Sequence, residues 1–271
     1  MATLKNYLIL FDAECPMCNL YTKAFVQSGL LDAEGRAAYQ EVNPEICPMV
    51  DRQRAVNEIA LINQQTGEVS YGISSLFTVI GAAMPVFKPL FAFGPFVWLM
   101  SKVYAFISYN RRVIIPATGD EKFQYQPTFK LHYRIAYLLF TWVVTAFILT
   151  RYARLLGNVV PVGGNYREYL ICGGQIFFQA IVIGFVAKGK LWSYLGNMMT
   201  ISFAGALLLL PMCLIGAWLG AHPILYTLYF MVIAGLMFLE HIRRSKLLHL
   251  GWALTISWVF YRSLVLVAIL L

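Results

Sequence analysis

The chain has 271 residues, of which 59% are hydrophobic and 13% charged, with a formal net charge of +8. A mean hydropathy of +0.66 is too apolar for a soluble protein of this length and points to a polytopic membrane protein. The charge is uneven: residues 1–130 hold 11 Lys+Arg against 11 Asp+Glu, and residues 131–271 hold 10 against 2. The basic residues of the second half flank apolar runs and form no patch, so nucleic acid is not an expected partner. Five cysteines, odd in number and scattered, make no disulfide scaffold. The opening Met-Ala-Thr-Leu-Lys-Asn carries no signal-peptide pattern.

In chain order, the apolar run Tyr7-Leu8-Ile9-Leu10-Phe11 reads as a buried strand, and residues 16–30 have apolar side chains at helical spacing. Between them lies Asp12-Ala13-Glu14-Cys15-Pro16-Met17-Cys18-Asn19. Two cysteines with two residues between them, where a strand hands over to a helix, form a redox motif. Unpaired N–H groups and the helix dipole stabilise a thiolate there. Pro16 costs nothing at a first helical position, where its missing donor would go unpaired anyway. The expected roles are an exposed Cys15 as attacking thiolate and a more buried Cys18 as resolving thiol. Asp12 either accepts the proton of the resolving thiol or caps the turn, and Glu14 is read as solvated. A zinc site would need a second cysteine pair, and Cys47 with four scattered histidines does not supply one. No metal or cofactor beyond the cysteine pair is expected.

Asp32-Ala33-Glu34-Gly35 breaks the helix, and residues 38–42 read as a second strand. Asn43-Pro44 opens a polar segment holding Cys47, an accessory candidate at most. Residues 58–63 and 68–71 read as hairpin strands around Gln64-Gln65-Thr66-Gly67. Ser74 or Ser75 is expected to cap a helix to about residue 83. This order is that of an α/β thioredoxin or glutaredoxin-like domain, although no proline stands in Val56-Asn57-Glu58, where such domains usually set a cis-proline.

Asp12-x-x-Cys15-x-x-Cys18-Asn19 after an apolar strand resembles the signature of the DCC thiol-disulfide oxidoreductase-like family. Tyr104 followed by Asn110-Arg111-Arg112 resembles that family's closing helical segment. Ala13 stands where the family usually has glycine. The resemblance covers about residues 5–115 and implies thiol–disulfide chemistry with a protein disulfide or thiol partner.

Residues 85–108 are apolar but interrupted by Lys88, Pro89, Pro95 and Lys102. They are read as amphipathic helices at a membrane surface, closing a first domain of residues 1–115. A linker of residues 116–131 leads to an all-α polytopic membrane domain, 132–271. Its five apolar runs, about 133–150, 169–187, 198–219, 223–239 and 250–271, each approach the length needed to cross a bilayer. The positive-inside balance places the redox domain in the cytoplasm and the C-terminus outside, as expected of a bacterial inner-membrane protein.

Arg262, near the middle of the last run, is the costliest residue in the membrane half. Either it serves a polar site in the bundle or it snorkels to headgroups. Glu240 and His241 are read with Arg243 and Arg244 as an interfacial ion cluster. Cys172 and Cys213 are candidates for an electron relay across the bilayer, against the plainer reading of small packing residues. Two functions follow from the sequence. One is a membrane-anchored thiol–disulfide oxidoreductase, and the other a non-catalytic subunit of a larger membrane complex.

Overall fold

The computed structural model describes residues 3–42, 49–117, 127–220 and 222–271; Cys47 lies outside these. The chain divides into two compact units, Met1–Tyr133 and Arg134–Leu271.

The first unit is built on a four-stranded sheet of order β2-β1-β3-β4. Strand β1 (Tyr7–Phe11) runs parallel to β2 (Arg36–Ala38), with Ile9 opposite Arg36, and antiparallel to β3 (Ala60–Asn63), with Ile9 opposite Leu61. Strand β4 (Val69–Tyr71) pairs antiparallel with β3. The two-residue alternation of strand side chains divides the core. Ile9 and Leu61 pack with Val79, Phe25 and Tyr104 on one face, while Leu10, Ala60 and Ile62 pack with Ala55 and Val56 on the other. Helices α1 (Pro16–Gln27) and α3 (Ile73–Ala83) therefore cover one face and α2 (Arg52–Asn57) the other.

Local chemistry sets the boundaries. Helix α1 stops at Gln27 instead of residue 30 because Gly29, at φ +73°, reverses the chain and lets the Leu30 N–H reach the Phe25 carbonyl at 2.8 Å. The second strand lies at Arg36–Ala38 rather than 38–42, since the turn closed by Gly35 N–H on Asp32 O (2.9 Å) brings Arg36 into register with Ile9. Helix α2 was not anticipated; it has only two buried residues, and Asp51 caps it by accepting the Arg54 N–H at 2.9 Å. Neither serine caps α3. Its N-cap is Gly72, at φ +62°, where an added Cβ would meet Glu58 Oε2 at 2.9 Å, and Ser75 is buried against Ser70.

After a 3₁₀ turn at Pro85–Phe87 come α4 (Lys88–Ala92) and α5 (Gly94–Ile114). The chain bends by 91° between Pro85–Ala92 and α5. Phe77, Phe91 and Phe96 stack across the bend and hold it to α3, with Phe77 and Phe91 ring centroids 4.2 Å apart. Val86, Leu90, Phe93, Trp98 and Leu99 stay exposed.

The second unit is helical and apolar. Among the described residues, four helical stretches are long and apolar enough to cross a membrane, or up to five if the bent pair is one span. The longest, Arg167–Gly216, holds two helices, α7 (Arg167–Ala187) and α8 (Leu191–Leu219). The chain turns back between them, because the Tyr194 hydroxyl donates to Gln179 Oε1 at 2.8 Å, a contact a straight helix could not make over 15 residues. Helices α6 (Leu131–Ala153), α9 (Pro223–Leu247) and α10 (Ala253–Leu270) complete the series. Inside this unit Leu138, Ile183, Tyr194, Met198, Leu254 and Trp258 pack together, and Ile148, Tyr152, Leu209, Tyr226 and Ile233 form a second cluster. Phe177, Phe185, Leu208, Leu236, Phe260 and Leu264 point outward. A large apolar exterior of this kind is stable only against lipid, and the chain is an integral membrane protein. Alkaline carbonate should leave the full-length protein in the membrane pellet, whereas detergent should release it; recovery in the carbonate supernatant would contradict the assignment.

Candidate functional site

The polar cluster of the first unit forms where β1 meets α1. Cys15 is the N-cap of α1 in extended conformation, and its Sγ accepts the Cys18 N–H at 3.2 Å. Its own N–H donates to the Asp12 carbonyl at 3.0 Å, closing the turn. Pro16 takes the first helical position, as the spacing predicts. Both thiols are free, and both are buried. Cys15 is 2% exposed and Cys18 4%, packed among Phe11, Ala38, Met17 and Tyr21. The expected exposed Cys15 is thus corrected: the helix start is folded inward against the end of β1.

Asp12 is buried and fully engaged. Its Oδ2 accepts from Arg111 Nη2 at 2.7 Å, and its Oδ1 accepts from Gln40 Nε2 at 2.9 Å and from the Glu14 N–H at 3.1 Å. Turn capping, one of the two roles open from sequence, is therefore present, joined by an ion pair that the sequence did not show. Glu14 is likewise no solvated side chain, since Arg112 Nη2 pairs with its Oε2 at 3.0 Å.

The C-terminal half of α5 supplies these arginines and ties them down. Tyr104 Oη accepts the Ile59 N–H at 3.1 Å, and Ser108 Oγ donates to the Asn57 carbonyl. Arg111 donates from Nη1 to the Asn57 carbonyl at 3.2 Å and from Nη2 to the Val56 carbonyl. Segment 56–59, which leads into β3, thus has its Val56 and Asn57 carbonyls and its Ile59 N–H bonded by one helix. Buried Arg111 keeps one unpaired donor, Nε, with no hydrogen-bond partner among the described residues. The resemblance stated above pointed to Tyr104 and Asn110-Arg111-Arg112 as a segment, but only the fold brings Arg111 to Asp12, 99 residues away.

Electrostatics separate the two thiols. A hydrogen bond from the Cys18 thiol, joined by the Arg111 guanidinium and the Cys18 N–H, outweighs burial and lowers Cys15 to about 7. The same Cys15 interaction, together with burial, pushes Cys18 far up. At neutral pH a large share of the Cys15 sulfur is therefore thiolate beside a protonated Cys18, the charge state in which one attacks and the other resolves.

Comparison of the chain with protein-family models, with curated proteins and with solved structures gave no match.

The remaining sequence candidates fall in the second unit. Arg262 does not snorkel: its Nε donates to Gln175 Oε1 on α7 at 2.7 Å, its Nη2 to Ser202 Oγ on α8 at 3.4 Å, and its guanidinium lies 4.8 Å from the Trp258 ring centroid. Glu240 does pair with Arg243 and Arg244. His241 departs from that cluster. It is buried between Tyr194 (3.2 Å) and Thr255 (3.1 Å) and stacks on Trp258. Cys172 is a buried free thiol on α7, and Cys213, also free, sits in the Ile148–Tyr152 cluster with its Sγ 3.9 Å from the Ile148 carbonyl.

Two results are expected. Asp12→Asn leaves the Arg111 cation buried without its counter-ion and should destabilise the first unit by about 3–5 kcal/mol, read from its unfolding transition. The pH profile of Cys15 alkylation should be half-maximal at about 7. Because Asp12 raises the Cys15 pKa and Arg111 lowers it, Asp12→Asn should move that midpoint down and Arg111→Gln should move it up.

Proposed function

We propose that the protein is a membrane-anchored thiol–disulfide oxidoreductase working through Cys15 and Cys18. The observation that carries this reading is the hydrogen-bonded cysteine pair at the start of α1, with Cys15 as N-cap and Arg111 held beside it. The β2-β1-β3-β4 order, with β1 parallel to β2 and antiparallel to β3, supports a thioredoxin-like arrangement around that pair. Asp12, Cys15, Cys18, Tyr104 and Arg111 converge within it, which supports the resemblance to the DCC family.

The Cys15 thiolate attacks a partner disulfide, forming a mixed disulfide and releasing one partner thiolate. Cys18 then loses its proton and attacks Cys15 Sγ, so that the Cys15–Cys18 disulfide forms and the second partner thiolate leaves. Two electrons pass from the cysteine pair to the partner. With both oxygens of Asp12 engaged, the carboxylate serves to hold Arg111 and the turn, and the Cys18 proton goes to solvent.

The exposed apolar side chains from Val86 to Leu99 support a surface resting on the headgroup region. Lys188 and Lys190 after α7, with Arg243, Arg244 and Lys246 at the end of α9, support placing the redox unit on the cytoplasmic face.

Burial of both thiols favours a second reading, in which the first unit is a docking module of a larger membrane complex. The readings separate on Cys15→Ser, which abolishes function if the thiol acts and leaves it intact if the unit only docks. For the chemistry itself, Cys18→Ser should accumulate a mixed disulfide between Cys15 and its partner on non-reducing gels, and Cys15→Ser should not. No adduct in either variant would sink the oxidoreductase reading.

A further inference from the structure

The thiols lie where a large electrophile has no room. Cys15 and Cys18 are 2% and 4% exposed, and attack on a disulfide requires the nucleophile, the struck sulfur and the departing sulfur to lie nearly in line. A folded partner's disulfide reaches Cys15 only if the surrounding side chains move. Those side chains are Phe11, Ala38, Met17 and Tyr21, and α5, which carries Arg111, is itself held at four points: Tyr104 on Ile59 N–H, Ser108 on Asn57 O, Arg111 on Val56 O and Asn57 O, and Arg111 on Asp12. A small electrophile asks for far less displacement of these side chains than a folded partner does.

The polar groups beside the thiols narrow its chemistry. Arg111 is buried and charged, and its Nε–H has no partner among the described residues. A buried donor of this kind costs free energy until an oxygen accepts it. Asp12, by contrast, has both oxygens engaged, so a cationic ligand finds no free carboxylate there. The site thus joins a nucleophilic sulfur, a resolving thiol three residues on and a guanidinium able to hold an oxygen on which negative charge develops.

We propose that, with α5 docked, the Cys15–Cys18 pair reduces small hydroperoxides, Arg111 binding the peroxide oxygens. The proposal rests on the reading of these cysteines as a redox pair and names a substrate smaller than a folded partner's disulfide. The Cys15 thiolate attacks the terminal oxygen of R–O–O–H. An S–O bond forms and the O–O bond breaks, leaving Cys15 as a sulfenic acid and releasing an alkoxide or hydroxide that takes a proton from solvent. The Cys18 thiol then attacks Cys15 Sγ, the S–S bond forms, and the sulfenic oxygen leaves as water with the Cys18 proton. In sum, the pair loses two electrons and the peroxide becomes one alcohol (or water) and one water.

The test uses full-length protein, reduced and held in detergent micelles. Hydrogen peroxide and glutathione disulfide are added separately, and Cys15–Cys18 disulfide formation is followed by mass spectrometry. A thiol held at about 7 is half ionised at neutral pH, against about 3% for a free thiol of pKa about 8.5, so ionisation alone gives roughly a fifteen-fold gain over free cysteine. The expected peroxide rate exceeds that gain, and Cys18→Ser should accumulate a dimedone adduct on Cys15. Arg111→Lys keeps the charge but loses the Nε donor. It should slow the peroxide reaction more than the glutathione-disulfide reaction, and equal slowing would remove Arg111 from the peroxide step. If Arg111→Lys does not fold, the wild-type rates and the Cys18→Ser adduct still decide. Reaction with glutathione disulfide but with peroxide only at the rate of free cysteine would overturn the proposal alone. Reaction with neither would overturn the redox reading beneath it.

Discussion

The first unit depends on one buried ion pair. Asp12 sits in the turn between β1 and α1, Arg111 sits near the end of α5, and their side chains meet at 2.7 Å with almost no access to water. Removing two charges from solvent costs several kcal/mol per ion, and their attraction offsets that only when the remaining bonding capacity is also met. Here it largely is: Gln40 and the Glu14 N–H complete the carboxylate, and the Val56 and Asn57 carbonyls take two further guanidinium donors. The pair therefore does not act alone. It locks three separate segments, the redox turn, the lead-in to β3 and α5, into one arrangement around Cys15. That arrangement is specific because each of the three supplies groups that no other segment can satisfy.

The sequence showed the strand, the helix start and the cysteine pair because all three are local. An apolar run of five, a proline at the first helical position and two thiols three apart are legible without knowing where the rest of the chain goes. The hairpin was legible for the same reason: Gly67 takes a positive φ, and Asn63 Oδ1 accepts the Gln65 N–H at 2.9 Å. Burial of Cys15 was not legible, since it depends on how the α1 start folds against Phe11, Ala38 and Tyr21. Nor was the use of Asp12. A carboxylate three residues before a cysteine reads equally well as a base, a cap or half of an ion pair, and its partner lies on the far side of the unit in sequence. Helix α2 carries no sequence signal because two buried residues leave too little periodicity.

In the second unit the legible feature was composition, and the illegible one was which polar side chain meets which. Arg262 stood out as a charge in an apolar run, but Gln175 and Ser202, which receive it, look like ordinary small polar interruptions of α7 and α8. Proximity in sequence puts His241 with the charged end of α9. One residue is 100° of helical turn, so Glu240 faces Arg243 and Arg244 while His241 faces Tyr194, Thr255 and Trp258. The outcome is a polar chain, Gln179–Tyr194–His241–Thr255, in the bundle core where each member satisfies its neighbour. In hydrocarbon such chains are favoured because the alternative is an unpaired polar group without water.

The two units differ in how they handle buried charge, and the difference bears on redox chemistry. Around Cys15, the Cys18 thiol and N–H and the Arg111 guanidinium all stabilise the thiolate. Each of these interactions exists only while the pair is reduced, because a disulfide sulfur carries no charge to attract them. Stabilising the reduced form in this way makes the corresponding disulfide more oxidising than one in an unstructured peptide. On the proposed reading, the pair rests as thiolate and thiol in a reducing compartment and gives its electrons to an oxidant of higher potential than its own couple. Peroxides, in which a weak O–O bond is exchanged for stronger O–H bonds, meet that requirement. The ion pair that fixes Arg111 thus also helps to hold the charge on Cys15, which the guanidinium favours.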